Sequence, residues 1–396
     1  MEPRRILYLS YWGVSDVLTV SSVFPSLQAL SNIENVEKLV FCSIERGDKS
    51  IPAGIRLPDK VIHVALKSLN ESGGFITKLY DFLVFPVTAW RLITKNRINT
   101  VICRSSLAGG MLLSIARLRN IPMIVESFEP HADYMVESGV WTRDSFRTRW
   151  SARMESRLKS RALFLLPVSE NYSNQLVKEG ISSSRLRVVP CTVSSNEFDY
   201  NIQSRNRIRK EWGWTDQVVG IYIGKFGGIY YEAEAFEQFR EAFRYFGSRF
   251  ALIILSAQEN VGKLAADHLE RIDPAKVKIF QVPHSQVPDY LSVADFAFST
   301  IKPAPSRRFC SPIKHGEYWA NGLPILLEKG IGDDSDIIRS EGGGVILERP
   351  HYKNAFEQID KLTQNGRMEN YLHIRPLALK YRNKEIIEAT YRSILQ

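Results

Sequence analysis

The stretch Phe309 to Pro324 reads FCSPIKHGEYWANGLP, and the apolar run Ile325-Leu326-Leu327 follows it directly. Pro312 suits the first position of a helix, where no backbone N–H is needed. The hydroxyl of Ser311 is expected to cap that helix. Asn321-Gly322 ends it, since glycine takes the left-handed conformation of a C-cap without strain. Leu323 to Leu327 then reads as a short buried strand. A helix set between apolar strands presents its N-terminus at the strand ends, where free N–H groups and partial positive charge suit a phosphate. Lys314 adds a full charge. Glu317, one turn after Ile313, places a carboxylate on the face that looks towards the helix start, where it can accept hydroxyl hydrogens of the kind a ribose offers. Ser311, Ile313, Lys314 and Glu317 are therefore the candidate contacts for a phosphorylated ligand.

On both sides of this stretch the chain alternates strand and helix. Ile6 to Leu9, Lys38 to Ile44, Val61 to Leu66, Thr100 to Cys103, Ile124 to Phe128 and Leu163 to Val168 read as strands, with helical patterns between them. The pattern restarts at Val218 to Ile223, Phe250 to Leu255, Val277 to Phe280 and Phe296 to Phe298. Such alternation predicts an α/β protein with parallel sheets covered by helices on both faces. The polar run Ser194 to Ser204 marks the boundary. The expected organisation is a Rossmann-like domain over residues 1–198, a second over 199–375 and a C-terminal helix over 376–396. A cleft at the strand ends is the default ligand site for such an arrangement.

Three further constellations carry chemistry. Gly224-Lys225-Phe226-Gly227-Gly228 follows a strand directly, so backbone and Lys225 can approach a diphosphate. It is neither G-x-G-x-x-G nor a P-loop. Paired with Lys314 it forms a two-lysine clamp for a leaving diphosphate. Gly13, after the opening strand, is the first-half counterpart of Gly224, with an ordinary turn as the plainer reading. Glu126, Glu129 and His131 follow the strand at Ile124, where a carboxylate and an imidazole can hold or take protons; a solvated loop histidine is the plainer reading. The catalytic candidates are Glu129, His131 and Lys225. Finally, Arg143, Arg147, Arg149, Arg153, Arg157, Lys159 and Arg161 interleave with Phe146, Trp150, Met154 and Leu158. This amphipathic basic helix suits an anionic membrane surface, or else it lays its apolar stripe on its own sheet and its arginines in water.

The chain has 396 residues and a net charge of +9, which favours anionic partners. Nucleic acid is disfavoured, because the basic run belongs to no recognition module. Four well-separated cysteines, with no C-x-x-C pair, argue against a zinc site or a disulfide framework and for a reducing cytoplasm. No apolar run reaches the roughly 18 residues of a membrane span, and no signal peptide is evident. The expected localisation is cytoplasmic, with peripheral attachment at the inner face of a membrane if the basic helix takes the first of its two readings.

These residues resemble the retaining GT-B glycosyltransferases of the large family four type. Gly224-Lys225 looks like the Gly-Arg or Gly-Lys that follows a strand in that family. Glu317 to Pro324 is similar to the second part of its Glu-x7-Glu motif, and Gly332 to Ile338 to its Gly-Gly-x-x-Glu-Ile-Ile, with Asp336 for the Glu. Pro312, Lys314 and Glu317 match the Pro-x-Lys-x-x-Glu version. Phe309 stands where the first Glu of the motif falls, and the usual lysine near Tyr230-Tyr231 is absent. The resemblance implies two Rossmann-like domains, a nucleoside-diphosphate sugar as donor substrate, a glycan or lipid-linked acceptor, and no metal or other cofactor. It implies that Lys225 and Lys314 contact the diphosphate and Glu317 the ribose, with His131 or a neighbour near the reacting sugar. A non-catalytic nucleotide-sugar or glycan-binding relative and a nucleotide-sugar epimerase are the alternatives.

Overall fold

The computed structural model describes residues 3–16, 19–46, 51, 56–69 and 75–395. The chain divides into two compact units, Met1–Pro190 with Lys384–Gln396, and Cys191–Asn383. The first therefore closes at Pro190, ahead of the polar run that the sequence marks as the boundary.

The first unit holds β1 (Arg4–Ser10), β2 (Val36–Glu45), β3 (Val61–Lys67), β4 (Thr100–Arg104), β5 (Met123–Phe128) and β6 (Phe164–Pro167), and the second holds β7 (Val218–Ile223), β8 (Phe250–Leu255), β9 (Val277–Phe280), β10 (Phe296–Phe298), β11 (Ile325–Glu328) and β12 (Gly344–Leu347). The sheet orders are β3-β2-β1-β4-β5-β6 and β12-β11-β10-β7-β8-β9. All pairings are parallel. Each unit is thus the same doubly wound sheet. Chain direction across the sheet reverses between β1 and β4 in one unit and between β7 and β10 in the other, and ligands of such sheets bind beyond the strand carboxyl ends at that point. The near-continuous apolar runs of β8 and β10 are fully buried, as strands covered on both faces must be.

Leu186 to Val189, a strand by its sequence, is no strand of the sheet but runs beside β6, bridging Leu165 through Leu186 and donating from the Arg187 and Val189 N–H groups to the Leu165 and Pro167 carbonyls at 3.2 and 2.9 Å. The tail is two helices rather than one. Arg367–Tyr381 packs against Ile313–Ala320 in the second unit, while Glu385–Leu395 packs against Phe24–Ser31 in the first. Gln396 lies outside the described residues.

The last helix is tied in through Glu126, at the end of β5. Glu126 is 2% exposed and accepts from the hydroxyls of Tyr8 and Tyr391 and from Arg104 Nη1 at 3.1 Å. This carboxylate, singled out beside Glu129 and His131 for proton chemistry, therefore holds the C-terminus to the sheet. Tyr391→Phe removes one donor to a buried charge. It is expected to cost the first unit about 1.5–3 kcal/mol, read as an earlier urea midpoint for that unit; an unchanged midpoint contradicts the role.

The basic helix runs Phe146–Arg161. Its apolar stripe splits. Met154 and Leu158 are buried against the helix Ser105–Leu118, where a Cβ on Gly110 would lie 1.7 Å from the Met154 sulfur. Phe146 and Trp150, at its start, remain 64% and 37% exposed. Among the described residues no helix is long and apolar enough to cross a membrane.

Candidate active site

The helix after Ser311 runs Ile313–Ala320, with Pro312 at the N-cap and no side-chain cap. Ser311 does not cap it. Its hydroxyl accepts from Arg382 and, at 3.0 Å, from the Cys191 N–H. Arg382 also pairs with Asp334, and Asp334 bonds His315 Nδ1 at 2.6 Å while His315 Nε2 meets Ser299 Oγ at 2.8 Å. His315 is 1% exposed and Asp334 0%. Burial holds the imidazole below its usual range, although Asp334 pulls the other way. This enclosed chain locks the first helical turn to the end of β10. Trp319, 0% exposed, fixes the other end by donating from Nε1 to the Gly343 carbonyl at 2.9 Å.

The rigid helix start presents Lys314 to the loop after β7. A Cβ on Gly224 would lie 2.2 Å from Lys314 Nζ, and Gly224 has φ of +145°, a conformation that favours glycine. The ammonium lies 4.3 Å from the Tyr230 ring centroid and 5.6 Å from that of Tyr222, so the ring faces partly stand in for water. Burial lowers its pKa to about 8, against the pull of Glu317. The lysine is therefore a cation at neutral pH that has already lost much of its hydration. Glu317, 5% exposed, bonds His284 Nε2 at 2.9 Å, and that bond raises the His284 pKa. Lys225 is exposed on the same loop, and its carbonyl accepts from the Tyr222 hydroxyl. The N–H groups of Ile313 and Lys314 have no intrahelical acceptor. Gly224, Lys314 and Glu317 are thus brought together at the strand ends of β7 and β10, where these sheets take ligands.

Sequence reasoning missed His284, Arg382 and Asp334. His284 alone left a local signal, a histidine in the Val282-Pro283-His284 turn after β9.

The first-unit candidates fare differently. The space a Cβ would take on Gly13 is filled by the Glu45 carboxylate, with Oε2 2.3 Å away, and Val14 N–H donates to Glu45 at 3.1 Å. A buried carboxylate against the loop repels a diphosphate, so packing explains this glycine. Glu129 is half-buried, and its carbonyl accepts from the His131 N–H at 2.8 Å. His131 opens the helix His131–Glu137 and lines a cavity of about 200 Å³ shared with Tyr11, which follows β1, and Leu107, which follows β4. Burial and then Lys78 push its pKa down to about 4, so the imidazole is neutral and stacks edge-on to Trp141 at 5.5 Å. Just before it, Ser127 has φ of +49°, strain of the kind found near ligand sites.

Beneath that helix lies Glu155, which accepts from Ala132 N–H at 2.9 Å and from Ser151 at 3.1 Å. Burial pushes its pKa up to about 7 from an ordinary value near 4.5. The folded state therefore holds a proton that the unfolded chain releases between about pH 4.5 and pH 7. This raised carboxyl makes the unit less stable as pH rises through that window, by at most about 3 kcal/mol. Glu155→Gln is expected to flatten the fall in urea midpoint between about pH 5 and pH 8; an identical fall in the variant contradicts it.

No family model and no curated protein matches the sequence. Solved structures match the whole fold. HepE of Anabaena, solved in complex with UDP, superposes with a TM-score of 0.70 over 99% of this chain and 99% of its own, at 11% identity. The fold is GT-B. Sucrose-phosphate synthase from Thermosynechococcus elongatus shares this GT-B fold with a TM-score of 0.72, covering 99% of this chain and 98% of its own at 13% identity. UDP-GlcNAc 2-epimerase from Neisseria meningitidis, bound to UDP-GlcNAc, gives 0.60 over 99% of each chain at 11% identity.

Proposed function

We propose that this protein is a retaining, metal-independent glycosyltransferase that moves a sugar from a nucleoside diphosphate to a glycan or lipid-linked acceptor in surface polysaccharide or glycoconjugate synthesis. The observation that carries the reading is the Lys314 ammonium, set over Gly224 at the start of a locked helix, with Glu317 one turn on. In transfer, negative charge develops on the leaving diphosphate. Lys314 and the N–H groups of Ile313 and Lys314 stabilise it, and Lys225 supplies a second cation from the loop. Because Lys314 is held in place before the donor arrives, little reorganisation is needed when the charge forms. Glu317, oriented by His284, accepts the ribose hydroxyls. His131 stays neutral, so it orients an acceptor or sugar hydroxyl instead of donating a proton. The lysines and helix N-terminus supply the positive charge, so the proposal assigns no cofactor. The resemblance of the Pro312, Lys314 and Glu317 pattern to family four supports the reading, as do solved relatives of this fold holding UDP and UDP-glucose.

The epimerases among the structural neighbours support a second reading on the same fold. Incubation with UDP-, GDP- and ADP-sugars, with product analysis, separates them. Transfer releases nucleoside diphosphate and joins the sugar to an acceptor or to water. Epimerisation leaves the nucleotide sugar intact with an inverted centre, and tight nucleotide binding without any turnover marks a non-catalytic relative. Either of the latter results sinks the transferase reading.

A further inference from the structure

The cavity around His131 combines two chemistries that a free glycan does not need. Its walls include Leu79, Phe82 and Trp150, with the Phe82 and Trp150 rings edge-to-face at 4.7 Å. Lys78 and Arg147 also line it. The Lys78 ammonium makes no hydrogen bond or ion pair among the described residues. It is held below its usual range by burial, then by the guanidiniums of Arg147 and Arg46, with Asp81 opposing. Arg46 and Asp81 form their own ion pair at 2.8 Å. Lys78 and Arg147 thus stand close enough at this apolar cavity for the guanidinium to depress the ammonium pKa, and an anion beside Lys78 offsets that repulsion.

The apolar lining does not stop at the cavity mouth. Leu79 lies on the helix Phe75–Lys95, whose residues Ile76, Leu79, Leu83, Val87 and Trp90 are 75%, 50%, 64%, 52% and 39% exposed. Their spacing of three and four residues puts them on one face. The ridge is about 21 Å long at 1.5 Å per residue. Phe146 and Trp150 extend the exposed apolar surface on the neighbouring basic helix, whose Arg143, Arg149 and Arg153 are exposed. An exposed apolar ridge that ends at a cation-bearing cavity matches a ligand with one charged end and one long apolar chain.

We propose that this cavity and ridge bind a phosphate-bearing single-chain lipid, with the phosphate between Lys78 and Arg147 and the chain laid along Leu79, Leu83 and Val87. The proposal rests on the transferase reading for its role, because it names the acceptor as one carried on such a lipid rather than a free glycan. The binding itself is independent of that reading.

The probe is farnesyl phosphate below its micelle concentration, titrated calorimetrically and by the fluorescence of Trp141 and Trp150. Saturable binding is expected, weakened about tenfold or more in Lys78→Ala and in Arg147→Ala, each with an unchanged urea midpoint. Farnesol, which lacks the phosphate, is expected to bind about tenfold more weakly, and Leu83→Glu to weaken farnesyl phosphate without altering inorganic phosphate binding. Equal affinity in the lysine and arginine variants overturns the proposal. So does equal affinity for farnesol, or binding only to phosphatidylglycerol vesicles with none of the monomeric probe. Nucleoside diphosphate binding is measured on the same samples. Its persistence without farnesyl phosphate binding refutes this inference alone, and the reverse pattern refutes the donor reading alone.

Discussion

Replacing Lys314 with alanine is expected to lower nucleotide-sugar turnover by about 10²–10³-fold, the usual cost of deleting one preorganised group that stabilises transition-state charge. Three observations lead us to expect the largest single effect at this lysine. It sits in the first turn of a helix locked at both ends by buried contacts. Its ammonium rests on Tyr230 and over the bare Cα of Gly224. Burial has already lowered its pKa to about 8, so part of its desolvation is complete before a diphosphate arrives. The charge is present below that pKa and lost above it, and a bound diphosphate raises the pKa in turn. Donor affinity is therefore expected to fall as pH rises through about 8 and beyond, and that dependence should vanish in Lys314→Ala. Lys314→Met, which keeps the stem but not the charge, should be as inactive as the alanine variant. Turnover within a few-fold of wild type in either variant sinks the assigned role.

Gly224→Ala comes next in size and acts through the same lysine. A methyl group at this position would lie 2.2 Å from Lys314 Nζ and 3.2 Å from the Tyr222 hydroxyl. The backbone φ of +145° adds strain of about 1–3 kcal/mol for any residue with a side chain. The long lysine has to give way first, so the ammonium is displaced from the strand end of β7. Turnover is expected to fall by about 10²-fold, with a lower melting midpoint for the second unit. The decisive comparison is the double variant. If Gly224→Ala works by moving Lys314, adding it to Lys314→Ala should cost little further activity, a strongly non-additive cycle. Additive losses would mean that Gly224 serves the ligand by a separate route.

How much of this was legible in the sequence depends on the range of each interaction. Strand and helix periodicity is local, so the alternation that dictates two parallel sheets could be read directly. So could the helix after Pro312 and the glycine loop after β7. Partner choice between distant side chains leaves no local trace. Ser311 reads as a cap, yet it is claimed by Arg382, 71 residues later. Glu317 meets His284, 33 residues earlier. Glu126 looks like a strand-end catalyst, but its donors Tyr8 and Tyr391 lie 118 and 265 residues away. Gly13 mirrors Gly224 in position only, because the chemistry differs in what faces it, a carboxylate in one case and an ammonium in the other. The basic helix was half legible. Its stripe packs where glycines let the neighbouring helix approach and stays exposed where none do.

We propose above that the second unit binds a nucleoside diphosphate through Lys314. The most direct test is a thermal-shift and calorimetric titration of UDP, GDP, ADP and CMP against wild type and Lys314→Ala, at about pH 6.5 and about pH 9. One nucleoside diphosphate is expected to stabilise the wild-type protein, more strongly at the lower pH, and the variant is expected to lose about tenfold or more of that affinity together with its pH dependence. Equal affinity in the variant, or no stabilisation by any of the four nucleotides, would contradict it.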